Sequence, residues 1–494
     1  MLTNIASTTI VRAPGTIVGM AVIENVMEHL AHNLGMDPLE FRMKNMIADA
    51  PIVPITEPNI LPQIVEHLQA SSTYQERKSQ IENFNAGNRW KKRGLSLVPM
   101  LYGQSSWQGK FYFQLSVFAT DATIAISCGA IGNFPRVQIG VITHEKLLFF
   151  LIEMGQGINT KVVQTVAKEL NVPMEIISLK PSNTFISPQN SPSWGSWTTD
   201  CMCSSAIVAC QKLKEKMKAV GDTMQNPTWN ELVSHMKSSE ITIHVIFIFF
   251  EKVAECNKQN VDLSVRHMGF ANNDLSMVNY NIYSAAVTEV ELDVLTGEVN
   301  VKRVDIIEDT GTSISPEIDV GQVEGAFVFS LGLWLTEQLR FHPESGRLLT
   351  NDTWVFQFEF SPKNPIKLLF YLLDQEYKVP SCKDIPEDFR VTFNDSKRNT
   401  YAGVLGSKAV GEQAMMMGVS VIFALRRAID SVRRDLGQSP LPFYTLGNVW
   451  KSVKKGSNFG TKCYLLSFRW TRHSRENSKC YFRLSRTLYY LIIF

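Results

Sequence analysis

The eight cysteines form no C-x-x-C pair and no iron–sulfur spacing. Without those patterns, a zinc ribbon or a cluster domain in this chain is excluded, and most of the thiols read as free and buried in a reducing compartment. No apolar run reaches the roughly 18 residues that span a bilayer. The longest, "ITIHVIFIFF" and "KLLFFLI", are too short. The N-terminus "MLTNIASTTIVRAPG" lacks the basic, apolar and small-residue regions of a secretory signal. There is no P-loop lysine spacing, no dinucleotide fingerprint and no internal repeat. A cytoplasmic protein with no membrane partner is the expectation.

Net charge is also scarce, at +2. It is unevenly spread: residues 451–494 carry ten Lys/Arg against one acid, Glu476. A basic end can attract nucleic acid. This one has neither amphipathic period nor an RNA-binding or zinc motif, so no nucleic-acid partner is expected.

What is present reads as interleaved helices and strands without a regular βαβ rhythm, hence a mixed α+β fold. "MAVIENVMEHLAHNLG" is a helix with Ile23, Met27, Leu30 and Leu34 as its inward stripe and Gly35 beyond its end. Asp37 and Pro38 start a second helix as N-cap and N1. "VELDVLTGEVNV" is a hairpin turning at Thr296–Gly297. Ile422, Leu425, Ile429, Val432 and Leu436 line a helix stopped by Gly437.

Four glycine-containing loops stand before helices. "EMGQG" places Gly155 and Gly157 around Gln156, where close backbone approach and a helix N-terminus favour an anion. An ordinary tight turn fits these residues equally. "GSWTTD" offers Gly195, Ser196, Thr198 and Thr199 as a second cradle or as a plain Ser/Thr cap. "DVGQVEG" puts Gln322 after a glycine, and Gly325 suits close helix packing. "GSKAVGEQ" places Glu412 after Gly411 at a helix start, where a capping acid is the plainer reading.

In their order, these segments resemble the molybdenum-cofactor region of the xanthine dehydrogenase/aldehyde oxidase family. The matching stretches are "VRAPGT" (11–16), "EMGQGINTK" (153–161), "ISLKPSNT", "AVTEVELDVLTGE" (286–298), "SPEIDVGQVEGAFV" (315–328), "KDIPEDFRVTF" (383–393) and "GSKAVGEQ" (406–413). The helical "AVIENVMEHLAHNLGMDPLEFRMKNM" looks most like insect-type aldehyde oxidases. The resemblance implies a molybdenum–molybdopterin cofactor and oxidative hydroxylation of aldehydes or electron-poor heterocycles. Glu412 would be the general base. Arg12 would lie beside the metal. Met154, Gln156, Gly157 and Gln322 would contact the pterin, and Gly195, Ser196, Trp197 and Thr198 would wrap it, with Gly411 before the base. No side-chain metal ligand is implied, and a homodimer is.

The same resemblance marks departures. The iron–sulfur and flavin domains of the family have no counterpart here, nor does the first part of the molybdenum region. The family assignment therefore points to an enzyme, while for the isolated chain the expectation is a catalytically inactive truncated paralogue or gene-model fragment that binds no cofactor, with an interaction module as a third reading. Stretches 132–151, 236–250 and 356–376 interrupt the pattern as insertions, or else form extra buried strands. The family-like region covers 1–444, and 445–494 is a divergent basic tail. Pro14 stands where the dehydrogenase branch has a substrate-stacking aromatic, and Trp197 is bulky for its position. Gln413 replaces a proline, which would loosen the turn that aims Glu412.

Overall fold

A computed structural model describes residues 12–46, 59–104, 123–131, 134–142, 153–180, 195–196, 198–221, 256, 259, 261, 263–268, 280–337, 346, 379–394 and 403–438. The long strand β6 (Tyr280–Asp293) organises the first of its layers. It is buried along nearly its whole length, the pattern of a strand covered on both faces. Its neighbours are β1 (Lys91–Gln104) and β7 (Val299–Glu308), both antiparallel to it, and β8 (Asp388–Phe393) runs parallel to β7.

Alternate side chains leave β6 in opposite directions. Ala285 and Val287 join Leu95 and Leu97 of β1 under α3 (Leu61–Ser71) and α4 (Tyr74–Gly87). Ala286 and Val290 join Val98 and Met100 under α7 (Pro316–Leu331), α8 (Gln413–Met417) and α9 (Ser420–Asp435). At Gly94 on β1, an added Cβ would lie 1.9 Å from the Ala424 carbonyl oxygen of α9. Only glycine permits that approach.

The second layer is a four-stranded sheet in the order β4 (Ile177–Lys180), β3 (Phe134–Ile142), β2 (Thr123–Ile131), β5 (Ser264–Met268). Strand β3 falls inside the stretch 132–151 and occupies an inner position, antiparallel to β2 and parallel to β4. The other two interrupting stretches and the basic tail lie outside the described residues. Helices α5 (Ile158–Leu170) and α6 (Thr198–Gly221) pack together. Val163, Val166 and Leu170 of α5 face inward with Cys203, Cys210 and Leu213 of α6. Cys203, Cys210 and Cys256 are buried, whereas Cys382 is exposed.

The local signals hold. Asp37 accepts from the Leu39 amide at 2.8 Å and caps α2 (Pro38–Lys44). Gly35, Gly297 and Gly437 take positive φ where the helices and the hairpin need it. Asp293 braces the hairpin by accepting from the Leu295 and Thr296 amides.

The inward stripe of α1 (Thr16–Asn33) does not hold. Its buried residues are Ile17, Ala21, Glu24, Glu28 and Ala31, while Ile23, Leu30 and Leu34 are exposed. The cause is Arg42 of α2. Its guanidinium is buried, with Nε 2.6 Å from Glu24 and Nη2 2.9 Å from Glu28. Arg427 of α9 also reaches Glu28, at 3.2 Å. A buried guanidinium must be paired, so the helix turns its carboxylates in and its apolar side chains out. Burial pushes the Glu24 carboxyl up. At Glu28 burial pushes the same way, but the charges of Arg427 and Arg42 outweigh it and hold the carboxyl low.

The run Pro316–Thr336 is long and apolar enough to cross a membrane by length and composition alone. In the fold one face of it packs on the core: Val323, Ala326, Phe327 and Leu331 sit in the main hydrophobic cluster.

Candidate functional site

Glu412 precedes α8, but its side chain makes no capping hydrogen bond. The capping reading fails because that carboxylate is used elsewhere. Its Oε1 accepts from the Ala13 amide at 3.0 Å. Its Oε2 accepts from the Tyr102 hydroxyl at 3.1 Å and from Ser196 Oγ at 3.2 Å. Three segments distant in sequence thus meet on one buried acid. Ala13 and Ser196 both hold left-handed backbone (φ 51° and 60°), a conformation that costs non-glycine residues energy.

Arg12, beside Ala13, faces α7. Its Nη1 and Nη2 donate to the backbone oxygen and Oε1 of Gln322, both at 3.1 Å. Gln322 Nε2 then donates to the Gly155 carbonyl at 2.9 Å. Burial lowers the Arg12 pKa, opposed by the charge of Glu412. Its guanidinium also lies 5.5 Å from the centroid of the Phe329 ring, within cation–π range.

The structure therefore brings Arg12, Ser196, Gln322 and Glu412 together, with Gly155 joined through Gln322. Gly411 lies among them: a Cβ there would sit 3.4 Å from Ser196 Oγ and 3.8 Å from Gln322 Oε1. Gly195 has positive φ in the turn before α6, and Thr198 opens that helix. Met154 is exposed, and Gln156 Oε1 accepts from the Met154 amide. Gly157 starts α5, with an added Cβ 2.5 Å from the Ile318 side chain. Trp197 lies outside the described residues. Pro14 is exposed.

The α5 N-terminus carries an anion of its own. Glu153 Oε1 accepts from the Gly155 and Gly157 amides at 3.1 and 2.7 Å, and Oε2 from Asn159 at 3.1 Å. The cradle read into "EMGQG" is thus filled by the glutamate of the motif itself.

The loop carrying Glu412 is held from behind. Val404 and Ala409 donate their amides to Asp200 Oδ1 and to the Tyr280 hydroxyl, at 3.4 and 3.0 Å, and that hydroxyl donates to Asp200 Oδ2 at 3.2 Å. Burial pushes the Asp200 carboxyl up to about 7. Lys408 is paired with Asp309. Gln413 is buried, with Nε2 bound to Glu308 at 2.6 Å and to the Ala409 carbonyl. A glutamine in place of proline therefore ties the turn down instead of loosening it. Burial pushes Glu308 well above the ordinary carboxylate range.

Sequence reasoning did not nominate Tyr102, Asp200, Tyr280 or Glu308. Tyr102 lies near the end of β1, and no local motif marks it. The others matter through partners 80 to 204 residues away, a distance no local pattern spans.

Chemically, the site is one carboxylate among hydroxyl, amide and guanidinium donors. Among the described residues, no group of three or more His, Cys, Asp or Glu could hold a metal ion. That set of hydroxyl, amide, carboxylate and guanidinium groups fits the polar edge of a heterocycle, which offers both donors and acceptors.

Comparisons with known proteins agree. The molybdopterin cofactor-binding domain profile matches residues 67–359, and a second profile of the same description matches 1–46. Probable aldehyde oxidase 2 of Oryza sativa subsp. japonica is 30% identical over 464 residues, covering 89% of this chain and 29% of the relative. Xanthine dehydrogenase/oxidase of Mus musculus is 31% identical over 440 residues, covering 88% and 29%. The chain thus spans under a third of these relatives' length. Quinoline 2-oxidoreductase from Pseudomonas putida 86 superposes with a TM-score of 0.64 at 17% identity, covering 89% of this chain and 52% of its own. A Cu,Mo-CO dehydrogenase gives 0.62 at 19%, covering 86% and 50%. At those identities the structures speak to fold, and the fold is that α+β architecture.

Proposed function

The chain belongs to the xanthine dehydrogenase/aldehyde oxidase family through its molybdopterin-binding region, and from that premise we propose that it holds a molybdenum–molybdopterin cofactor for oxidative hydroxylation of aldehydes or electron-poor heterocycles, with Glu412 as general base. The observation that carries the reading is the convergence of Ala13, Tyr102 and Ser196 on the Glu412 carboxylate.

When bound, the cofactor would supply the two-electron redox chemistry. The protein's part is grip, orientation and proton transfer. Arg12, Ser196 and Gln322 would hold the cofactor, with Gly195, Gly411 and Thr198 lining the approach. Met154, Gln156 and Gly157 would contribute the adjoining loop and Trp197 the rest of the turn. Glu412 would take the proton released as the nucleophile forms. Pro14 has no aromatic ring to stack on a purine, which favours aldehydes. The proposal includes a family-like region over 1–444, a separate tail over 445–494, a homodimer and a cytoplasmic setting.

Metal and pterin analysis of the purified protein tests the reading. Near-equimolar molybdenum and pterin are expected, and a Gly411→Val variant is expected to lose both. A wild-type protein free of molybdenum after reconstitution would favour the second reading, a cofactor-free paralogue. That alternative rests on Glu153, whose carboxylate already occupies the Gly155 and Gly157 amides of the loop that would meet the pterin.

A further inference from the structure

Tyr102 is the group at Glu412 that no family-like motif contains. It lies near the end of β1, paired with Ile282 of β6. Its ring packs between the main core and a small cluster of Tyr280, Ile282 and Ala409. That wedge fixes where the hydroxyl points. Burial, and then the charge of Glu412, push the hydroxyl well above the ordinary tyrosine range, so it stays a donor at neutral pH.

A carboxylate oxygen offers two lone-pair directions. Among the described residues, Oε2 of Glu412 receives two donors, Tyr102 and Ser196, while Oε1 receives one, the Ala13 amide. The two oxygens are therefore inequivalent. We propose that Tyr102 is a positioning residue for Glu412: with Ser196 it saturates Oε2, fixes the rotation of the carboxylate, and leaves Oε1 as the atom that accepts the proton. This rests on Glu412 being the base. In the step, the proton lost by the nucleophile ends on Oε1, Glu412 becomes a neutral carboxyl, and Tyr102 and Ser196 keep their own protons.

Phenylalanine fills the same space as the tyrosine ring, so Tyr102→Phe removes the hydrogen bond and little packing. The infrared spectrum of the full chain, as the difference between wild type and Glu412→Gln, isolates the Glu412 carboxylate band without any cofactor. That band is expected to move in Tyr102→Phe and to move further when Ser196→Ala is added. With 3-fluorotyrosine at position 102, which keeps the ring and strengthens the donor, it is expected to move the opposite way. A merely structural role for Tyr102 would shift the melting temperature and leave the band in place. In the cofactor-loaded protein, Tyr102→Phe is expected to lower kcat about tenfold with KM little changed, the size of one lost hydrogen bond to a charged group.

An unmoved band in folded Tyr102→Phe and in the fluorotyrosine protein overturns the proposal alone. If loaded Glu412→Gln keeps full activity, the base assignment falls, and with it the role given to Oε1. The two failures are therefore distinguishable.

Discussion

Lys408 Nζ lies 2.7 Å from Asp309 Oδ2, and neither side chain exposes any surface. The ammonium also donates to the Asn281 carbonyl at 2.7 Å. Four residues before Glu412, this pair fastens the loop to the end of β7. Removing one partner would leave an uncompensated buried charge. Lys408→Met is expected to cost about 3–5 kcal/mol, and Lys408→Met with Asp309→Asn clearly less. Urea denaturation of the three proteins reads the difference. Equal losses in the single and double variants would refute the pairing argument.

Asp200 gives a pH dependence with a definite sign. Burial raises its carboxyl from the ordinary 3.8 to about 7 in the folded protein. The folded state therefore binds this proton more tightly than the unfolded chain. The stability it contributes is full below pH 3.8 and is lost as pH rises through about 7. Asp200→Asn should remove that slope, by on the order of 1–4 kcal/mol across the window. Urea midpoints measured from about pH 4 to 8 for both proteins are the check. Parallel curves would show that Asp200 titrates normally.

Gly94 tests the contact between β1 and α9. Alanine there would bring its Cβ to 1.9 Å from a backbone oxygen, and backbone cannot step aside as a side chain can. Gly94→Ala is expected to cost at least about 1–3 kcal/mol and to lower the melting temperature by several degrees. A wild-type melting curve would contradict the close approach.

Glu412→Gln keeps the size of the side chain and removes its basicity. In the cofactor-loaded protein, aldehyde turnover is expected to fall about 10²–10⁴-fold, while molybdenum content stays at the wild-type level. Activity and content falling together would instead assign Glu412 to cofactor grip.

What could be read from sequence was mostly local. Asp37 caps its helix, Gly35 and Gly437 end theirs, and Thr296–Gly297 turns the hairpin, because each depends on neighbours a few residues away. The inner face of α1 could not be read, because Arg42 on the next helix decides it. Hydropathy ranks Leu30 above Glu28 for burial, and the ion pairs reverse the order. The same holds at the site. Glu412 could be singled out from its motif, and its capping role was the plainer local reading. The hydroxyl of Tyr102, 310 residues away, is what gives its carboxylate a direction. The stretch 132–151 reads either as an insertion or as an extra buried strand, and β3 within it pairs with β2 and β4.

Glu153 sits only two residues from Gly155 and four from Gly157, whose amides it engages. A tethered carboxylate is present at those amides at high effective concentration. Free phosphate or sulfate, which competes from dilute solution, has little chance of displacing it. The loop bearing Met154 and Gln156 thus keeps one shape in media of very different anion content, and its geometry is a property of the polypeptide alone.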